Sequence, residues 1–148
     1  MGVSAKAAGV IAPNVRDRSE IVVMKRLGYG LLLWVIPYAT AIPLMPLMKS
    51  DPIFFKTIMI VEGALVGGVL TALYFKDVQR NFLREGMVVA GTWIVLNWLL
   101  DFVALLPFSG HTIPRYFIEI GFRYIAIVAP VMAVGFVLES RSASVHPV

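Results

Sequence analysis

The sequence contains no cysteine and only two histidines, and each shortage excludes a class of site. Without cysteine the chain cannot form disulfides, thiolate zinc sites, iron–sulfur clusters or a nucleophilic thiol. His111 and His146 lie outside the long apolar stretches, so neither can ligate a haem or a chlorin magnesium at membrane depth. We therefore expect no metal site and no cofactor of the protein's own, while peripheral contact with lipid, quinone or pigment stays open.

Catalytic and nucleic-acid-binding signatures are also missing. The sequence holds no H-E-x-x-H, G-x-S-x-G or glycine-rich phosphate loop, the patterns that place a metal, a nucleophile or a phosphate. The net charge is +4, but no basic face of the kind that binds phosphate backbones is visible. We predict that the protein is not an enzyme and does not bind nucleic acid.

Charged residues are scarce because most of the chain is apolar. Hydrophobic residues make up 59% and charged residues 15% of the 148 residues, against about 25% charged residues in soluble domains. Each of four apolar stretches has about the 20 residues that a helix needs to cross a hydrocarbon layer of ~30 Å. They predict helices over about residues 27–48, 53–75, 87–108 and 116–138. The expected fold is an all-α, integral membrane four-helix bundle over residues 26–138, with a leader at 1–25 and a tail at 139–148.

The distribution of lysine and arginine predicts how this bundle is oriented. Nine of the 13 basic residues fall in the leader, in the loop between the second and third helices, or in the tail. These nine residues are Lys6, Arg16, Arg18, Lys25, Arg26, Lys76, Arg80, Arg84 and Arg141. Because short loops rich in lysine and arginine stay on the cytoplasmic side, we expect both termini to be cytoplasmic and the protein to lie in the inner or plasma membrane of the cell.

Five ionisable side chains lie inside the predicted spans, where a charge is tolerated only if it is paired or used. Counted at about 1.5 Å per residue from the span ends, all five fall in the outer, non-cytoplasmic half of the bilayer. Asn97 lies one turn from Asp101 on the same helix face. The predicted intramembrane polar cluster is therefore Lys56, Glu62, Asn97, Asp101, Glu119 and Arg123.

This cluster admits three interpretations. In the favoured one, Arg123 and Lys56 neutralise two of the three acids, Glu119 and Arg123 pair within their own helix, and Asn97 hydrogen-bonds across helices. In the second, the acid that lacks a base binds a proton or a cation. In the third, the cluster is a docking face for a partner helix or for a pigment, quinone or lipid head group.

Small residues and prolines indicate how the helices pack. The second helix carries a G-x-x-x-G pair with a third glycine beside it, a spacing that lets helix backbones approach closely. These glycines are Gly63, Gly67 and Gly68, and we expect them to serve packing within the bundle rather than homodimerisation. Three prolines in the first helix, including Pro43 and Pro46, should bend it towards its outer end because they remove backbone donors.

The tryptophans and tyrosines fall into two groups by depth. Trp34, Tyr116 and Tyr124 lie near span ends, where aromatic side chains anchor a helix at the membrane interface. Trp93 and Trp98 are deeper, so we expect them to pack inside the bundle.

Four short motifs carry a resemblance that covers about three quarters of the chain. They are F-K-T-I-M from Phe55, T-W-I-V-L-N-W-L-L-D from Thr92, L-P-F-S-G from Leu106 and Y-F-I-E-I-G-F-R-Y from Tyr116. Through them the chain resembles a group of small uncharacterised four-helix integral membrane proteins of bacteria and archaea. The resemblance implies the four-helix fold and includes most of the polar cluster, but it implies no activity.

Two functions from different classes follow. The leading hypothesis is a non-catalytic accessory or structural subunit of a larger respiratory or photosynthetic membrane complex, packing through its helix faces and its leader. Its partners would be membrane lipid and other membrane protein subunits. The alternative is a small transporter or channel for protons, cations or solutes that uses the polar cluster, although four helices without an evident inverted repeat make a small pathway.

Overall fold

The computed structural model describes residues 15–110 and 112–145. Residues 1–14 of the predicted leader, His111 and residues 146–148 of the predicted tail lie outside this part. The described residues form α-helices and one 3₁₀ turn, Gly121–Tyr124, without any β-strand. The α-helices are α1 (Val15–Ala41), α2 (Met45–Ser50), α3 (Pro52–Phe75), α4 (Phe82–Ala104), α5 (Leu106–Ser109), α6 (Ile113–Glu119) and α7 (Ile125–Val145).

Within residues 15–110 and 112–145, four helical segments are long and apolar enough to cross a membrane. These spans are Ser19–Ala41, Pro52–Phe75, Phe82–Ala104 and Gly121–Ser144. Each has at least 23 residues, which at about 1.5 Å per residue covers a hydrocarbon layer of ~30 Å. The predicted all-α four-helix bundle is therefore confirmed, and the chain is a multi-pass membrane protein.

The four passes alternate in direction. Near the start of α4, Glu85 pairs with Arg26 of α1 and the backbone N–H of Leu83 donates to Glu139 of α7. The described chain therefore enters and leaves at the same end of the bundle, which we call the terminal end. The opposite end, where α2 meets α3 at Asp51, is called the far end. The far end is the one that the sequence predicts to be non-cytoplasmic. Which side of the membrane it faces stays a prediction.

Apolar residues from all four passes form one core. α4 packs against α1 and α7, and α3 also packs against both of these helices. The buried core residues are Leu33, Leu70, Tyr74, Phe75, Val89, Ala90, Trp93, Ile127 and Val131. Much of each helix surface nevertheless stays exposed and apolar, as expected for helices that face lipid.

The glycines with the least room for a side chain at contacts between passes are not those of the G-x-x-x-G pattern. A Cβ atom on Gly30 would lie 2.8 Å from Leu96, and one on Gly135 would lie 3.0 Å from the carbonyl oxygen of Phe82. Among the predicted packing glycines Gly63, Gly67 and Gly68, only Gly67 is buried. The other two face open space, with no atom within 4 Å of an added Cβ.

Helix boundaries follow the hydropathy prediction in the second pass and depart from it elsewhere. The first pass starts inside the predicted leader, at Val15, and breaks at residues 42–44 before α2. The third pass ends at Ala104 instead of near residue 108. The fourth pass breaks after Glu119 and then runs through most of the predicted tail. Hydropathy averages over such breaks, because apolar residues flank them on both sides.

Candidate functional site

The polar centre of the far half of the bundle is Asp101, which is only 2% exposed. Trp34 donates from Nε1 to Oδ1 at 2.8 Å. Tyr116 and Tyr124 donate from their hydroxyls to Oδ2 at 2.7 and 2.8 Å. These four residues, which we call the Asp101 hub, join α1, α4, α6 and the 3₁₀ turn.

All three partners of Asp101 are neutral donors. No lysine or arginine of the described residues forms an ion pair with it. A carboxylate that accepts several hydrogen bonds is stabilised in its ionised form, because the donors replace the water it has lost. The geometry therefore describes a buried carboxyl group whose two oxygens accept hydrogen bonds from three aromatic side chains.

The break in the fourth pass explains how both tyrosines reach one oxygen atom. In a continuous α-helix, residues eight positions apart are about 12 Å apart along the axis and about 80° apart around it. Here the helix stops at Glu119, and the 3₁₀ turn brings Tyr124 back towards Tyr116. Trp98 donates from Nε1 to the carbonyl of Gly121 at 3.2 Å, which satisfies a backbone acceptor within the break.

Asn97 lies one turn from Asp101 towards the terminal end and is fully buried. Its Nδ2 donates to the carbonyl of Gly30 on α1 at 3.2 Å and to that of Trp93 at 2.8 Å. The expected hydrogen bond across helices is thus present. Its Oδ1 is buried and has no protein partner in the described structure.

Glu62 lies apart from the Asp101 hub, at the contact between α3 and α1. Its Oε1 is 2.6 Å from the hydroxyl of Thr40. Its Oε2 is buried and has no hydrogen-bond partner among the described residues. Glu62 forms no described ion pair either, so the second acid of the predicted cluster also lacks a base.

A break in the first pass lies immediately beyond this contact. α1 ends at Ala41, one residue after Thr40, and α2 starts at Met45. Pro43 has no N–H, so the carbonyl of Ala39 loses its regular donor. The N–H of Leu44 bonds to the carbonyl of Ala41, so the backbone carbonyl of Thr40 loses its regular donor as well. We call residues 42–44 the first-pass break; it frees the carbonyls of Ala39 and Thr40 next to the Thr40–Glu62 contact.

The third acid, Glu119, is paired, but not with Arg123 as expected. Its Oε1 accepts from Arg115 at 2.7 Å and its Oε2 from Lys56 at 3.4 Å. The helix break after Glu119 removes the i,i+4 geometry that would have brought Arg123 alongside it. No described ion pair joins Arg123 to an acid, so the expectation that it neutralises the cluster fails.

A second polar group lies at the terminal end. Arg26 donates to Glu85 at 2.7 Å, and the hydroxyl of Tyr74 also contacts that carboxylate. Beside it, Lys25 pairs with Asp77 in the loop after α3. The hydrogen bond and the charge of Lys25 lower the pKa of Asp77 below the ordinary value of 3.8. These contacts tie α1 to the α3–α4 turn, and the sequence pattern did not indicate them.

The surface offers a shallow apolar groove, which does not include any acid of the predicted cluster. The groove lies between α1 and α4 and is lined by Leu27, Gly91, Thr92, Val95, Leu96 and Leu99. The described residues contain no group of three or more histidine, aspartate or glutamate side chains that could hold a metal ion. The acids of the predicted cluster offer carboxyl oxygens that form hydrogen bonds.

Known proteins provide no comparison for these residues. No protein-family model, curated protein or solved structure matches the chain. The resemblance to small uncharacterised four-helix membrane proteins accordingly stays a prediction.

Proposed function

We propose that the protein is a non-catalytic accessory subunit of a larger membrane complex, located in the inner or plasma membrane with both termini cytoplasmic. The observation that carries the proposal is the first-pass break, because the regular helix is interrupted there among exposed residues and at membrane depth. Ile42 within it is 59% exposed and Met45 just after it is 52% exposed.

The depth of the break follows from its neighbour on α3. Glu62 is about 15 Å along α3 from Pro52. Thr40 bonds to Glu62, so the break starts at a similar depth and leads back towards the far end through α2. α3 is about 35 Å long, only slightly more than the ~30 Å hydrocarbon layer. The break therefore falls inside that layer.

Irregular backbone is not stable in contact with lipid tails, because freed carbonyls find no donor there. It occurs at membrane depth where protein covers it or where it lines a water-filled cavity. α2 contains no buried residue, so the described residues do little to cover this region. A partner subunit seated on α2 and on the end of α1 would supply the cover. The predicted docking role of the leader concerns mainly residues outside the described part.

The Asp101 hub supports a structural role over a catalytic or transport role. Its carboxylate is almost fully enclosed, and both oxygens accept hydrogen bonds from the protein. A transported ion would have to displace these donors. The hub instead holds the broken fourth pass against α1 and α4, as a subunit with a fixed shape requires.

The cysteine-free sequence gives a clean background for testing this proposal. Single variants Ile42→Cys and Leu99→Cys would each carry a photoreactive maleimide in native membranes. Leu99 is a matched control, since it is 55% exposed in the far half of the regular helix α4. We expect a stoichiometric crosslink to one protein from position 42 and lipid adducts from position 99.

The intact particle supplies the second readout. Native mass spectrometry after extraction in a mild detergent should show this chain in fixed ratio with the crosslinked protein. A particle that contains only this chain, together with the same lipid adducts at both positions, would rule out the accessory-subunit proposal.

A further inference from the structure

We propose that Glu62 is a proton-binding site: its carboxyl group carries an exchangeable proton in the folded protein and donates it to Thr40. This assignment does not depend on the accessory-subunit proposal. It rests on the hydrogen bonds of Thr40, on the unpartnered oxygen of Glu62 and on its position at the end of α1.

The hydroxyl of Thr40 has one hydrogen and two acceptors within reach. Its Oγ1 is 3.1 Å from the carbonyl of Ile36 and 2.6 Å from Oε1 of Glu62. The other threonines within described helices all donate to the carbonyl four residues earlier, as threonine commonly does in helices. They are Thr57, Thr71 and Thr92, with distances of 2.9, 2.7 and 2.7 Å. If Thr40 does the same, the hydrogen between Thr40 and Glu62 must come from the carboxyl group.

The surroundings of the second carboxyl oxygen of Glu62, Oε2, also favour the protonated form. An ionised carboxylate would leave Oε2 buried without a donor, and a buried unpaired charge is far more costly than a buried neutral group. A protonated carboxyl leaves only a carbonyl oxygen unpartnered. Asp101 provides the contrast within the same molecule, since three donors reach its two oxygens.

The end of α1 adds an electrostatic reason for Glu62 to be protonated. Thr40 is the second-last residue of α1, so Glu62 lies beside the C-terminus of a long helix. That terminus carries about half a negative charge, which disfavours a second negative charge nearby. The carbonyls freed at the first-pass break act in the same direction, because they too are acceptors.

No described ion pair brings a positive charge to Glu62. The titratable groups nearest in sequence and on the elements around this part of α3 are Tyr38 of α1, Lys49 of α2, Lys56 of α3, and Arg123 and Tyr124 of the 3₁₀ turn. None forms a described hydrogen bond or ion pair with Glu62. Lys56 is paired with Glu119, and Tyr124 donates to Asp101.

Infrared spectroscopy of the full chain in mild detergent tests the protonation directly. The difference spectrum between the wild type and Glu62→Gln at neutral pH should contain the C=O band of a neutral carboxylic acid. That band should disappear in alkaline buffer. A difference spectrum with only carboxylate bands at neutral pH would overturn the proposal, whether or not any reagent can reach the site.

Labelling with dicyclohexylcarbodiimide tests whether the proton is exchangeable. A protonated carboxyl adds across one C=N bond of the reagent: the oxygen bonds to the central carbon and the proton goes to nitrogen. The product keeps the mass of both reactants. Peptide mass spectrometry should find this adduct on Glu62 and not on Asp101, and it should be lost in Glu62→Gln.

Sodium ions distinguish a proton site from a cation site of the same geometry. Labelling of Glu62 should fall as the pH rises and should be the same in sodium and in choline salts. Protection by sodium at constant pH would overturn the proposal in favour of a cation site. A neutral-acid band that persists at all pH values, with no adduct, would show a fixed proton and overturn its exchange.

Discussion

The Asp101 hub predicts a specific coupling between one buried anion and two tyrosines. We consider Tyr116→Phe and Tyr124→Phe, singly and together, in the wild type and in an Asp101→Asn background. A hydrogen bond to a charged group contributes about 1.5–3 kcal/mol, and one between neutral groups about 1 kcal/mol. Each single replacement should therefore lower the free energy of unfolding by about 2 kcal/mol in the wild type and by about 1 kcal/mol in the Asn background.

The double replacement should be the most damaging, because it leaves the Asp101 carboxylate with one donor, Trp34, among the described residues. We expect a loss of about 5 kcal/mol, more than the sum of the single changes and comparable to the whole stability of a marginal protein. In the Asn background the same double replacement should cost about 2 kcal/mol.

Reversible unfolding by sodium dodecyl sulfate in mixed micelles, followed by tryptophan fluorescence and circular dichroism, measures these differences. Tyr38→Phe is the control, since Tyr38 is 38% exposed and its hydroxyl has no described hydrogen bond. If the tyrosine replacements cost the same in the presence and absence of the Asp101 charge, the hub is not a solvated anion and the reasoning is refuted.

Three further measurements address the terminal end and the helix contacts. Arg26→Ala should lower the free energy of unfolding by about 3 kcal/mol, because it leaves a partly buried carboxylate unpaired, while Lys25→Ala should cost much less in the same unfolding assay. Gly135→Ala should cost about 1–3 kcal/mol because of its close helix contact, whereas Gly63→Ala should be neutral or slightly stabilising; equal effects would contradict the packing described. The fold lowers the pKa of Asp77, so its contact with Lys25 stabilises the protein above the pKa that Asp77 has in the unfolded chain. This stabilisation is lost as the pH falls through the pKa of Asp77 in the folded protein. Unfolding midpoints measured over a pH series should therefore fall more in acid for the wild type than for Asp77→Asn.

The sequence predicts the fold well because each span has a long apolar run, and a bilayer leaves few alternatives to a helix for such a run. It also predicts the contribution of Asn97 across helices, since Asn97 and Asp101 share a face one turn apart. Depth counting brought the acids into the same half of the bundle. It could not say which neighbours they meet, because that depends on how each helix is rotated about its axis.

The main error concerns the fourth pass, and its cause is local. A continuous helix would have paired Glu119 with Arg123 and placed Tyr116 and Tyr124 near the interface as anchors. The break after Glu119 instead turns both tyrosines towards Asp101. Hydropathy gives no sign of it, because the surrounding residues are equally apolar. The nearest signal was the presence of a buried acid that lacked an evident base.

The two helix breaks in the far half present opposite kinds of hydrogen-bonding group to the two buried acids. The fourth-pass break presents two hydroxyl donors to Asp101, so the hydrogens in these contacts come from the tyrosines. The first-pass break presents freed carbonyls beside Glu62, so acceptors outnumber donors there and a hydrogen must come from elsewhere. In the isolated chain we expect that hydrogen to be a proton on Glu62. A partner that covered the first-pass break with a donor of its own would replace it, so carbodiimide labelling of Glu62 should be weaker in the intact complex than in the isolated chain. Equal labelling in both would mean that the partner's contact, if present, does not reach this acid.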